Sequence, residues 1–134
     1  MDFGFWFLHS ITNNLKENFR EKLLRWKTIC EDFIPIHLIY IDHPKPIIVQ
    51  QSLAVLGNFA NVFENYGRKV MDCSRDEKKE DLLFKLSDKL KDKEVVASSM
   101  ACLANVLYDA TPDEGFKLLK ESSLLDNMKV VLSQ

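Results

Sequence analysis

Glycine and proline are scarce, with four of each in 134 residues. A β-sandwich needs a turn signal every eight to twelve residues or so, so this supply argues against a many-turned β fold. Cysteine is also sparse. Cys30, Cys73 and Cys102 are odd in number, and no pair sits at CxxC spacing. That fits buried thiols in a reducing, intracellular compartment, and a catalytic Cys, the alternative, finds no support in its neighbours. Charge of one sign is lacking too, since the net charge is −2. A nucleic-acid binder shows a basic surplus or stripe, whereas here Lys and Arg alternate with Asp and Glu, as in the run from Arg75 to Asp81. That run reads as a solvated loop or helix start.

Long hydrophobic runs are missing as well. Phe33 to Ile41 is too short to span a bilayer and carries Pro35 and His37, so no membrane association is expected. The start, Met1 to Leu8, lacks a basic segment, which speaks against a secretory signal. No Gly-rich phosphate loop, HExxH or nucleophile elbow occurs. His9, His37 and His43 lack metal-ligand spacing. His37, in an apolar segment, reads as a partly buried, hydrogen-bonded side chain. The expectation is therefore a non-enzyme with no catalytic residues, cofactor or metal.

What is present is 46% apolar and 28% charged residues in a chain of one-domain length, and an internal repeat. Val49-Gln50-Gln51-Ser52-Leu53-Ala54-Val55-Leu56-Gly57-Asn58 recurs 47 residues later as Val96-Ala97-Ser98-Ser99-Met100-Ala101-Cys102-Leu103-Ala104-Asn105. Val, Ser, Ala, Leu and Asn return in register. A weaker copy, Leu8 to Asn13, precedes Leu53 to Asn58 by 45 residues. A period in the forties marks helices stacked into a solenoid.

Each copy has a helical period. Val49, Leu53, Leu56 and Ala60 share one face, as do Val96, Met100, Leu103 and Leu107, and Leu8, Ile11 and Leu15 continue the pattern. Between the copies, Asn18 to Cys30 carries Phe19, Leu23, Leu24 and Trp26 at helical spacing, and Trp6 and Trp26 read as core residues. Asp32 to Ile41 reads as a short helix capped by Asp32, with Pro35 in its first turn. A buried strand is the alternative, given its Ile and Tyr content. Asp42-His43-Pro44-Lys45-Pro46 is a break, after which Pro46 opens the next helix. Leu82 to Lys91 points Leu82, Leu83, Leu86 and Leu90 inward. Thr111, Pro112 and Glu114 form a capping-box start, and Leu124 to Leu132 closes the chain.

The predicted fold is all-α: one domain of about two and a half three-helix units. A partial unit covers 1–15, full units cover 16–63 and 64–109, and a partial unit covers 110–134.

Phe33-Ile34-Pro35-Ile36, His43-Pro44 and the long stretch Val49 to Ala60 together resemble one armadillo repeat. Within armadillo proteins the chain is most similar to the importin-α family. Leu56-Gly57-Asn58-Phe59-Ala60 with Arg68 to Cys73 resembles that family's third repeat. Leu103-Ala104-Asn105-Val106 with Pro112 to Phe116 resembles the fourth, and Thr12-Asn13 the second. The resemblance implies a right-handed α-solenoid that acts as an adaptor for an extended peptide in nuclear import, in the cytoplasm, the nucleus or both. It implies that Asn13, Asn58 and Asn105 line the concave face and hold the peptide main chain. A carboxamide carries a donor and an acceptor together, so it can pair with both groups of a peptide unit. A plainer role, tying helix ends together, stays open for each Asn.

The chain departs from that family where its tryptophans stand, four residues before each Asn, with His9, Ala54 and Ala101. Eight residues before each Asn come Phe5, Gln50 and Ala97. This strip shares one helix face with the Asn residues, which makes His9 and Gln50 candidate peptide contacts. Without the rings, basic-peptide recognition is expected to be weak or altered. A different expectation is a structural scaffold or oligomerisation module. It would self-associate or dock through apolar solenoid ends: Phe3, Phe5, Trp6 and Phe7 at one, Met128, Val130 and Val131 near the other.

Overall fold

The computed structural model describes residues 17–76 and 81–134. Among them are eight helices and no strand: α1 Glu17–Asp32, α2 Ile34–Tyr40, α3 Pro46–Val62, α4 Tyr66–Asp76, α5 Leu82–Lys89, α6 Val96–Leu107, α7 Pro112–Glu121 and α8 Leu124–Leu132. The segment around Ile34 to Tyr40 is thus helical rather than extended.

Local chemistry accounts for most boundaries. Pro46 and Pro112 occupy the first turns of α3 and α7, where a missing N–H leaves nothing unpaired. Lys45, before Pro46, is extended, as a residue preceding proline prefers. Thr111 and Glu114 make the reciprocal capping box. Asp81 caps α5 by accepting from the Leu83 N–H at 2.9 Å. Asn65, in the turn between α3 and α4, has φ 61°, a left-handed conformation that Asn tolerates.

Asp32 does not cap α2. It ends α1, and Phe33 takes the cap position without a side-chain hydrogen bond. The Phe33 N–H donates to the Cys30 carbonyl, and the His37 N–H to the Phe33 carbonyl, each at 3.2 Å. With Pro35 supplying no donor, the orphan groups of the α2 start need little else.

Helices packed side by side build the core. The largest helix–helix contact is α3 against α6, and α1 packs on α4 and α5 on α8. Leu53, Leu56, Val70, Leu86 and Val106 are all fully buried between these layers. The four leucines Leu82, Leu83, Leu86 and Leu90 point inward as their spacing predicts.

Two apolar faces depart from expectation. On α1, Leu23 packs against the core, whereas Trp26 is 61% exposed and Leu24 is exposed with it. The inward stripe runs through Leu23, the half-buried Lys27 and Cys30, one residue round from Trp26. Trp6 lies outside the described residues. On α6, the fully buried side chains are Ser99, Cys102, Leu103 and Val106, while Val96, Met100 and Leu107 are half-buried. Close approach explains the rotation: a Cβ on Gly57 of α3 would sit 3.1 Å from the Cys102 Cα. Small residues must face each other where two backbones come that near, so steric room overrides hydrophobicity in choosing the face. Gly67 meets the same constraint, since a Cβ there would lie 2.8 Å from Asp109 Oδ2 and 3.1 Å from the Val106 carbonyl oxygen.

Candidate binding furrow between two long helices

The seam where α3 meets α6 opens outward as a furrow with two adjoining depressions. The first, of about 300 Å3, is lined by Ala54, Asn58, Ala97, Ala101 and Asn105 over a floor that includes Leu53 and Cys102. The second, of about 460 Å3, lies at the C-terminal ends of both helices. Its margin includes Asn61, Glu64, Asn65, Tyr108 and Asp109, and Asn105 borders it as well.

Asn58 and Asn105, which correspond in the sequence repeat, therefore line one depression. They are positioned by helical spacing from Ala54 and Ala101, each one turn earlier on the same face. Asn105 is half-buried, and its Nδ2 donates to the Gly57 carbonyl at 3.0 Å, tying α6 to α3. Among the described residues no donor reaches its Oδ1. Asn58 is half-buried and lies on the furrow wall. Gln50 does not line either depression. Its Nε2 donates to the Glu94 carbonyl and so fastens the start of α3 to the turn before α6. Asn13 and His9 lie outside the described residues.

The two depressions differ electrostatically. Among the described residues no charged side chain lines the first. Burial pushes the Cys102 thiol of its floor up to about 12, so that group stays protonated and neutral. The second carries two carboxylates, Glu64 and Asp109, the latter accepting the Arg68 backbone N–H at 3.2 Å, and no basic residue among the described residues. The C-terminal ends of α3 and α6 also meet there, and each adds partial negative charge. Tyr108 stands 90% exposed at this rim. Sequence reasoning missed Tyr108 and Asp109, although they follow Asn105 by three and four residues, the spacing that keeps side chains on one helix face.

Behind the furrow lies an ionic network that sequence reading also missed. Arg68 of α4 grips Glu114 of α7 in bidentate fashion, at 2.5 and 2.9 Å, and reaches Asp72 at 3.1 Å. Arg75 bonds Glu114 Oε2, which Arg68 also reaches, at 2.5 Å, and Asp81 at 3.1 Å. Glu114 also accepts the Thr111 N–H at 2.8 Å. The Arg68 hydrogen bond, aided by Thr111 and Arg75 against the opposing effect of burial, holds the Glu114 carboxyl well below the usual carboxylate range. Of the run from Arg75 to Asp81, residues 77–80 lie outside the described residues, and Arg75 and Asp81 carry structural ion pairs rather than standing merely solvated.

A further depression between α2 and α3 is bordered by His37, Tyr40, His43 and Gln51. His37 Nδ1 is buried there without a hydrogen-bond partner among the described residues, contrary to the bonded role expected of it, and burial lowers its pKa. His43 Nδ1 accepts the Lys45 N–H at 3.0 Å. Among the described residues no group of three or more His, Cys, Asp or Glu side chains could hold a metal ion, and no helix is long and apolar enough to cross a membrane. No family model, curated protein or solved structure matches the chain.

Proposed function

We propose that this chain is an armadillo-type α-solenoid adaptor that binds an extended segment of a partner protein along the α3–α6 furrow, in a nuclear-import-like role in the cytoplasm or nucleus. The role is binding, not catalysis. One observation carries it: Asn58 and Asn105, 47 residues apart and in register in the repeat, line the same depression. Two carboxamides at equivalent points of neighbouring helices can hold an extended main chain without reading its side chains. The like-on-like packing of α1 with α4, α3 with α6 and α5 with α8 supports a stacked-unit reading. The acidic depression with its exposed Tyr108 suits a cationic side chain of the bound segment, through carboxylates and a ring face.

The test is binding of short, unstructured, fluorescently labelled peptides, measured by anisotropy for the native chain and for the Asn58→Ala/Asn105→Ala double variant. Affinity should drop at least about tenfold, some 1.4 kcal/mol, in the variant. Because Asn105 also bonds Gly57, melting curves must show that the variant stays folded. Equal affinities in two folded proteins would remove the proposal.

A second reading rests on separate observations. Trp26, Ile36 and Ile39 are exposed on α1 and α2, and Phe116, Leu125 and Leu132 on α7 and α8. Faces of this kind suit a scaffold that docks or self-associates through its ends. Light scattering at rising concentration separates the two readings, since a monomer throughout speaks against end-to-end self-association.

A further inference from the structure

The furrow's two halves ask for different side chains, and this gives the occupant a chemistry. The acidic half, with Glu64, Asp109 and two helix C-terminal ends, suits a cation. The other half, between Ala54 and Ala101, has no charged lining among the described residues, and its floor includes the fully buried Leu53 and Cys102. A lysine there would surrender hydration with no carboxylate to replace it. A large apolar side chain would lose only unfavourable contact with water. The depression, about 300 Å3, has room for one such group. It is roomy because Ala54, Ala97 and Ala101 send only methyl groups into it, while Asn58 and Asn105 stand at its border, where a main chain would run.

We propose that the furrow selects an extended segment carrying one large uncharged apolar side chain, of leucine or phenylalanine type, seated between Ala54 and Ala101 beside a single cationic residue, in preference to a run of basic residues. This rests on the reading of the furrow as a peptide site. It adds that the alanines set specificity, because they leave open the volume a bulky residue would fill.

The experiment uses two matched series of short labelled peptides built on Gly and Ser. One series carries a Leu followed at varied spacing by an Arg. In the other, Lys replaces the Leu. Anisotropy is measured with the native chain, with Ala101→Trp and, as an independent second variant, with Ala54→Trp. Both alanines are exposed, so either ring can fill the depression without entering the core, and unchanged melting curves check this. The best Leu peptide should bind at least about tenfold tighter than its Lys counterpart. Each Trp variant should weaken the Leu peptide about tenfold and abolish the preference. Lys peptides that bind as tightly as Leu peptides or tighter, while still depending on Asn58 and Asn105, overturn the selectivity and leave the peptide-binding reading standing. The same holds for a Leu preference that survives both Trp substitutions. Failure of both series to bind overturns both.

Discussion

The α3–α6 seam and the α7–α8 pair are held in place by opposite means. At the seam, apolar packing is dense. Leu53 and Leu56 of α3 meet Leu103 and Val106 of α6, all buried, and Gly57 lets the two backbones close up. In α7 and α8 only one side chain each is buried, Leu118 and Leu124. That pair is fastened by polar contacts instead. Arg68 and Arg75 clasp Glu114, Thr111 caps α7, and Asn127 of α8 donates to the Ser87 carbonyl of α5 at 2.8 Å. The difference teaches where each part is vulnerable. Burial fails when volume is removed, whereas a clasp of charges fails when a proton arrives.

The largest effect should come from the apolar side. Leu56→Ala leaves a cavity in the seam and should cost about 2–5 kcal/mol, read as a lower urea midpoint for the whole domain. If Leu56→Ala loosened only α7 and α8 in hydrogen exchange, the contrast between the regions would be wrong.

Glu114→Gln should cost about 1.5–3 kcal/mol at neutral pH, the scale of hydrogen bonds to a charged group. It should speed exchange in α7 while sparing α3 and α6. Its pH dependence has a definite sign. The folded chain holds the Glu114 carboxyl below its unfolded value, so its contribution is complete above about pH 4.3 and fades as pH falls from there toward the folded value. The stability gap between native and Glu114→Gln proteins should therefore be wide at about pH 7, smaller at about pH 3 and still closing below that. A gap that stays constant across that range would mean the clasp is not ionic in its energetics.

The smallest of the three is Asn127→Ala, at about 1 kcal/mol, from the loss of one donor to the Ser87 carbonyl. Calorimetry should find a slightly lower melting temperature, and a normal one would show that water replaces the amide at no cost.

Much of the helical plan was legible in residues whose effects are local. Pro46 and Pro112 open helices, Thr111 with Glu114 caps one, and the leucines from Leu82 to Leu90 mark an inward face. The features that went astray depend on partners distant in the chain. Trp26 has helical spacing to Leu23, but no neighbour among the described residues covers its side of α1. The face of α6 is set by Gly57, 45 residues before Cys102. Asp32 lost its capping role because α1 continues to the very edge of α2. At the candidate site, the Asn58 and Asn105 pair was readable from the repeat. The carboxylates and ring at the furrow's far end were not, since Glu64, Tyr108 and Asp109 gather only when two helix ends are brought together. The Arg68–Glu114 pairing crosses 46 residues, close to one period of the repeat, which is the signal that could have found it.

Asn105 has a divided allegiance. The amide that borders the furrow is also the one that grips the Gly57 carbonyl on the neighbouring helix. That amide has a second hydrogen, so a visitor that accepted from it would leave the bond to Gly57 in place. An occupant content with the carbonyl oxygen alone would leave the joint intact. On the proposed reading, Asn105 can therefore hold a guest and the joint at once.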